Sequence, residues 1–192
     1  MIRYEHLGSM ITDKISTYGD RTALRHKEDG RWQSLTYTGF GRKISQLASA
    51  MLAWGVEPGD NVCIYSANRY EWAITDFATV LCGAVSVPIY STNTREQAEY
   101  IIRDAGIRLI FTGNAFQFDN ISAIVSDGLP LTIVSYDKTV QAGTDVTFFD
   151  DFLKTDLANG FIETHEAADS TEKIADYFGI TDFLTTVSTA CS

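Results

Sequence analysis

From Arg31 onward, short runs rich in β-branched and aromatic residues alternate with stretches whose apolar positions recur every three or four residues. That alternation is the signature of βαβ units and predicts an α/β fold, a mostly parallel sheet with flanking helices. A first helix begins near Thr38, where Phe40, Ile44, Leu47, Ala48 and Met51 form one apolar stripe on an otherwise polar cylinder. Gly55 stands where a left-handed cap belongs, and Pro58-Gly59-Asp60 makes the turn that follows. Residues 61–65 then read as a buried strand, and residues 69–82 as a helix presenting Trp72, Phe77 and Leu81 toward the sheet before Gly83 ends it.

The next strand spans residues 84–88, with Pro88 halting its ladder. Thr94 and Gln97 have the spacing of a capping box, which opens a helix displaying Ala98, Ile101, Ile102 and Ala105 and closed by Gly106. Residues 108–112 supply another strand. Beyond Asn114 the pattern continues more weakly, through an Ile121-Ile124-Val125 helix face, a strand over 131–134 and an apolar patch at Phe148, Phe149, Phe152 and Leu153. A more polar stretch starts at His165 and marks a composition boundary.

Composition narrows the class. A chain of 192 residues buries roughly 70% of its unfolded surface, enough for one self-supporting domain. Its 45% apolar and 12% aromatic content is that of a globular protein. The net charge of −10 disfavours nucleic acid and anionic membranes, which need clustered Lys and Arg, and pairs such as Arg42-Lys43 read as solvated helix surface. No run approaches the roughly 18 apolar residues of a membrane span, and the N-terminus lacks a signal-peptide core, so a cytoplasmic location is expected. Cys63, Cys82 and Cys191 lack metal-type spacing, and the first two read as small core residues.

Ordered strings within this frame carry a resemblance. Leu35-Thr36-Tyr37, Gly55-Val56-Glu57-Pro58-Gly59-Asp60, Asn68-Arg69-Tyr70-Glu71-Trp72 and Gly83-Ala84-Val85-Ser86-Val87-Pro88-Ile89-Tyr90 resemble the adenylate-forming superfamily. The wording of residues 88–94 is most similar to long-chain fatty acid CoA ligases. The resemblance covers about residues 11–154 and implies that residues 1–154 are the N-terminal subdomain of the adenylate-forming synthetase fold. The parent reaction it implies joins a fatty acid to CoA through acyl-AMP, with ATP, Mg2+ and CoA.

The phosphate-gripping loop of that family, Thr-Ser-Gly-Thr-Thr-Gly-x-Pro-Lys-Gly in form, has no counterpart up to Ser192. The chain is therefore expected to be a fragment, inactive alone, with no catalytic residue for ligase chemistry and no bound cofactor. Tyr90 and Trp72 read as core packing, with an acyl-pocket wall as the alternative. Residues 161–192 instead resemble the active-site approach of a β-ketoacyl synthase. There Ser188-Thr189-Ala190-Cys191-Ser192 would place Cys191 as the acyl-accepting thiol, and two histidines would lie downstream; His165 precedes the cysteine and matches neither. Residues 182–187 also stand about where a strand leading into a synthetase phosphate loop would lie.

The first expectation is thus a long-chain fatty acid CoA ligase fragment. The alternatives are a non-catalytic acyl or nucleotide binding module, or acyl transfer through Cys191. Fatty acid and CoA are the expected partners of the parent, and an open sheet edge leaves room for self-association.

Overall fold

The computed structural model of the protein describes Tyr4, residues 6–140 and residues 146–154. The tail at 161–192, with His165 and Cys191, lies outside the described residues. The chain opens with α1 (Leu7–Tyr18), the strands β1 (Thr22–Glu28) and β2 (Arg31–Thr36), and α2 (Tyr37–Trp54). It continues through β3 (Asn61–Tyr65), α3 (Tyr70–Leu81), β4 (Val85–Ile89), α4 (Arg95–Asp104), β5 (Leu109–Thr112) and α5 (Ala115–Ser126). The described part ends with β6 (Thr132–Ser135), β7 (Val146–Phe148) and the short α6 (Phe149–Phe152).

Five of these strands form one parallel sheet in the order β4-β3-β5-β6-β7. Because side chains alternate between the faces of a strand, each buried strand feeds two cores. Val62, Ile64, Leu109, Phe111 and Val134 point to the layer that holds α1, α2 and α3, whereas Cys63, Tyr65, Ile110 and Ile133 point to the layer of α4 and α5. The α/β class expected from the residue pattern is the class observed, with helices covering both faces of the sheet.

Local rules explain the element ends. The Thr36 side chain caps α2 by accepting from the Gly39 N–H at 3.1 Å, and Gly55 closes the helix at φ 107°, in the left-handed region. The expected capping box of α4 forms between Thr94 and Gln97. Pro88 does not halt its strand: β4 extends to Ile89, because β4 is the sheet edge, where a missing N–H removes no ladder bond. In α3 the residues fully buried are Ile74, Thr75, Ala78 and Thr79, with Leu81 nearly so. Trp72 and Phe77 lie half-buried on the flank of that stripe, and Phe77 meets Phe40 of α2 edge-on at 5.8 Å rather than facing the sheet.

Three elements, α1, β1 and β2, precede the expected first helix. Ile11 and Ile15 bury one face of α1, and α1 approaches α2 so closely that a Cβ on Gly41 would stand 2.8 Å from Ile15. Strands β1 and β2 form a separate antiparallel hairpin turned by Asp29 at φ 50° and Gly30 at φ 75°. Two left-handed residues in a row match the right-handed twist of the flanking strands.

Candidate functional site

The order of the parallel strands contains a reversal. From β3 the chain crosses over α3 to β4 on one side, then returns over α4 to β5 on the other side of β3. The loops leaving the carboxyl ends of β3 and β5 therefore lead to α3 and α5 in opposite layers, and a crevice opens between them. That crevice measures about 810 Å3 and is lined by residues 66–73, by 113 and 114, and by 24–28 of β1. Since a sheet face would contribute only alternate residues, a lining of consecutive β1 residues means the crevice meets that strand along its edge.

The floor depends on a close approach. The Gly113 N–H donates to the Tyr65 carbonyl at 3.0 Å, and a Cβ at Gly113 would lie 2.4 Å from Ser66 Oγ and 2.9 Å from Ser66 Cα. Only glycine lets the two loops touch there. Asn114 then caps α5 through its side chain, and Gln117, which completes that capping box, reaches across to donate to the Ser91 carbonyl at 2.8 Å.

Arg69 ties the loops together. Its Nε and Nη2 donate to the two oxygens of Glu71 at 2.7 and 2.8 Å, and its Nη1 donates to the Gly113 carbonyl at 2.7 Å. The guanidinium also lies 5.1 Å from the ring centroid of Tyr136, one residue past β6. Tyr136 in turn donates to Thr75 Oγ1 at 2.7 Å, and Thr75 donates to the Glu71 carbonyl at 2.8 Å. One side chain thus joins the carboxyl ends of β3, β5 and β6. Burial opposes the charge of Arg69, but the hydrogen bonds and charge of Glu71 outweigh it and hold the guanidinium above its ordinary value.

On the opposite wall His26 stacks on Tyr70, ring centroids 4.1 Å apart, and its Nδ1 is buried without a hydrogen-bond partner. Burial, followed by the charge of Glu71, pushes the Tyr70 phenol up to about 12. The crevice thus offers a charged clasp, a stacked aromatic pair and a spare nitrogen. These are groups suited to binding and shape.

The two cysteines among the described residues do not serve as nucleophiles. Cys63 and Cys82 are fully enclosed, and burial raises both thiols, that of Cys82 to about 12, so neither supplies a thiolate. No group of three or more His, Cys, Asp or Glu among the described residues is placed to hold a metal ion.

The residues weighed from sequence separate here. Trp72 lines the crevice, half-buried. Tyr90 does not pack in the core: it is 81% exposed, because it falls one residue past the end of the edge strand, where neither helix layer covers it. Cys191 lies outside the described residues. Arg69, Glu71 and His26 carry the crevice and were not picked out from sequence as site residues; the charged pair two residues apart within Asn68-Arg69-Tyr70-Glu71-Trp72 was the available signal.

Comparison with known proteins bears on this geometry. The profile of the family described as AMP-binding enzyme matches residues 11–175. The long-chain-fatty-acid–CoA ligase FadD15 of Mycobacterium bovis is 34% identical over 108 residues, which cover 56% of this chain and 18% of the relative. The long-chain-fatty-acid–CoA ligase ACSBG2 of Gallus gallus is 31% identical over 134 residues, covering 69% of this chain and 18% of that protein. The chain thus spans about a fifth of the length of these curated relatives. Among solved structures, the anthranilate CoA ligase AuaEII in complex with anthranoyl-AMP shares the fold, with a TM-score of 0.69 at 23% identity over 80% of this chain and 29% of that one.

Proposed function

This chain belongs to the AMP-binding enzyme family, and from that premise we propose that residues 1–154 are the supporting lobe of a long-chain fatty acid CoA ligase. In the whole ligase, a fatty acid is activated by ATP, with Mg2+, as acyl-AMP and then transferred to CoA. The observation that carries this reading is the likeness to two long-chain-fatty-acid–CoA ligases, over 56% and 69% of this chain.

The Arg69 guanidinium is committed to Glu71 and Gly113, and no Ser/Thr/Gly-rich loop ending in lysine occurs between Met1 and Ser192. The role of this lobe is accordingly architectural: it supplies a rigid parallel sheet and a shaped crevice. Purified Met1–Ser192 is expected to release no AMP from ATP in the presence of palmitate and CoA. Turnover in that assay overturns the architectural role.

A second reading draws on the crevice itself, whose volume of about 810 Å3 suits a small molecule. On that reading the lobe binds an acyl group or a nucleotide without chemistry. Isothermal titration with acyl-CoA, fatty acid and ATP separates the two, because a flat trace for all three removes the binding module.

A further inference from the structure

The antiparallel hairpin leaves one row of backbone groups unspent. Its turn is Asp29 and Gly30, so the flanking Glu28 and Arg31 form a hydrogen-bonded pair, and so do the alternate pairs, His26 with Gln33 and Leu24 with Leu35. The N–H and C=O groups of Arg25 and Lys27 therefore point away from β2, and β1 has no second neighbour among the described strands. That edge borders the crevice, whose lining takes in residues 24–28 of β1 and none of β2. At about 3.3 Å per residue this strip is about 16 Å long, enough for one short strand.

We infer that the open edge of β1 takes up an extended segment of another polypeptide, alternately acidic and apolar, as a third strand of the hairpin sheet. Main-chain hydrogen bonds to Arg25 and Lys27 supply the affinity, and the two faces of β1 select the side chains. Leu24 packs against the core of α1, α2 and α3, and His26 stacks on Tyr70, so the added strand meets apolar and aromatic surface on that face. Arg25 and Lys27 lie on the other face, exposed and without a salt bridge among the described residues. Trp32 of β2, itself 60% exposed, holds both cations beside the edge, its ring 5.6 Å from the Arg25 guanidinium and 5.4 Å from the Lys27 ammonium. Carboxylates on the added strand stand across from them. Charges farther off than about 8 Å are screened at physiological salt, so these two cations, not the net −10 of the chain, decide the sign of the partner. A second copy of this chain does not fit: β1 paired antiparallel with itself about His26 sets Arg25 against Lys27, like charge on like. This strand site depends neither on the ligase reading nor on a small molecule in the crevice.

Amide hydrogen exchange of Met1–Ser192, read residue by residue by NMR, tests it. Without peptide, the Arg25 and Lys27 amides should exchange freely while those of His26 and Glu28 are protected by β2. An acetylated Glu-Val-Glu-Val-Glu-Val peptide at saturation is expected to slow exchange at Arg25 and Lys27 by about tenfold or more. The same peptide methylated at every backbone nitrogen should not. A Lys-Val-Lys-Val-Lys-Val peptide should bind about tenfold more weakly, since two cross-strand charge pairs change sign, and the double substitution Arg25→Glu, Lys27→Glu should invert that preference. Protection of Arg25 and Lys27 without peptide, no protection with it, equal action of the methylated peptide, or a preference that the double substitution leaves unchanged would each overturn the proposal.

Discussion

The parallel sheet and the hairpin beside it differ in composition and in how they are stabilised: the central sheet strands are mostly apolar, whereas β1 and β2 carry Arg25, Lys27, Glu28 and Arg31. Strands β3, β5 and β6 lie between two helix layers, and Val62, Ile64, Ile110, Phe111 and Val134 are almost wholly enclosed. The hairpin has one covered face and one open one, and only its inner residues reach the body of the protein, His26 by stacking on Tyr70. Burial on both faces makes the sheet intolerant of change. An open face leaves the hairpin free to carry surface chemistry.

The sharpest test of that contrast is Phe111→Ala. Phe111 is fully buried among the rings of Tyr136, Phe149 and Phe152 at 5.9, 6.4 and 5.8 Å, so truncation should cost about 4 kcal/mol in a urea melt. A cost under about 1 kcal/mol would mean that the aromatic cluster is not a packed core. Next in size is Arg69→Ala, which strands the Glu71 carboxylate, only 6% exposed, and should cost about 3 kcal/mol. Arg69→Lys should recover only part of that loss, since an ammonium keeps the charge without the two-pronged geometry.

A smaller effect is expected in alkali. Tyr70 has a folded pKa of about 12 against an ordinary 10.0, so the folded chain holds this proton more tightly than the unfolded one. Its contribution is complete below pH 10 and is lost as pH rises toward 12, so stability should decline across that window. Tyr70→Phe should flatten the decline in denaturant titrations at stepped pH, and an identical decline in the variant would show that Tyr70 is not its source. Smallest of all, Trp32→Ala should alter stability by no more than about 0.5 kcal/mol, as expected of an open surface. A loss above about 2 kcal/mol would show that the hairpin's outer face is packed against something.

Much of the sheet half was legible residue by residue. The 3.6-residue stripe of α2, the left-handed cap at Gly55 and the capping box at Thr94 and Gln97 are local devices, and each is found where its spacing placed it. The hairpin and α1 are absent from the reading of the sequence, although the Asp29-Gly30 dipeptide and the spacing of Ile11 and Ile15 offer a local signal for each. Tyr90 could not be placed from its type, because whether an aromatic ring is buried depends on which strand is the edge.

What the amino-acid order alone determined is the class and the family, because hydrophobic period, capping chemistry and motif wording are properties of neighbours within a few residues. The position of the reversal between β3 and β5, and so of the crevice, was decided by the tertiary structure. Arg69 reaches the Gly113 carbonyl across 44 residues and Tyr136 stacks on it from farther still, contacts that exist only once strand order is set. The basic face of the hairpin arises in the same way: Arg25 and Lys27 are ordinary surface charges until register brings Trp32 between them.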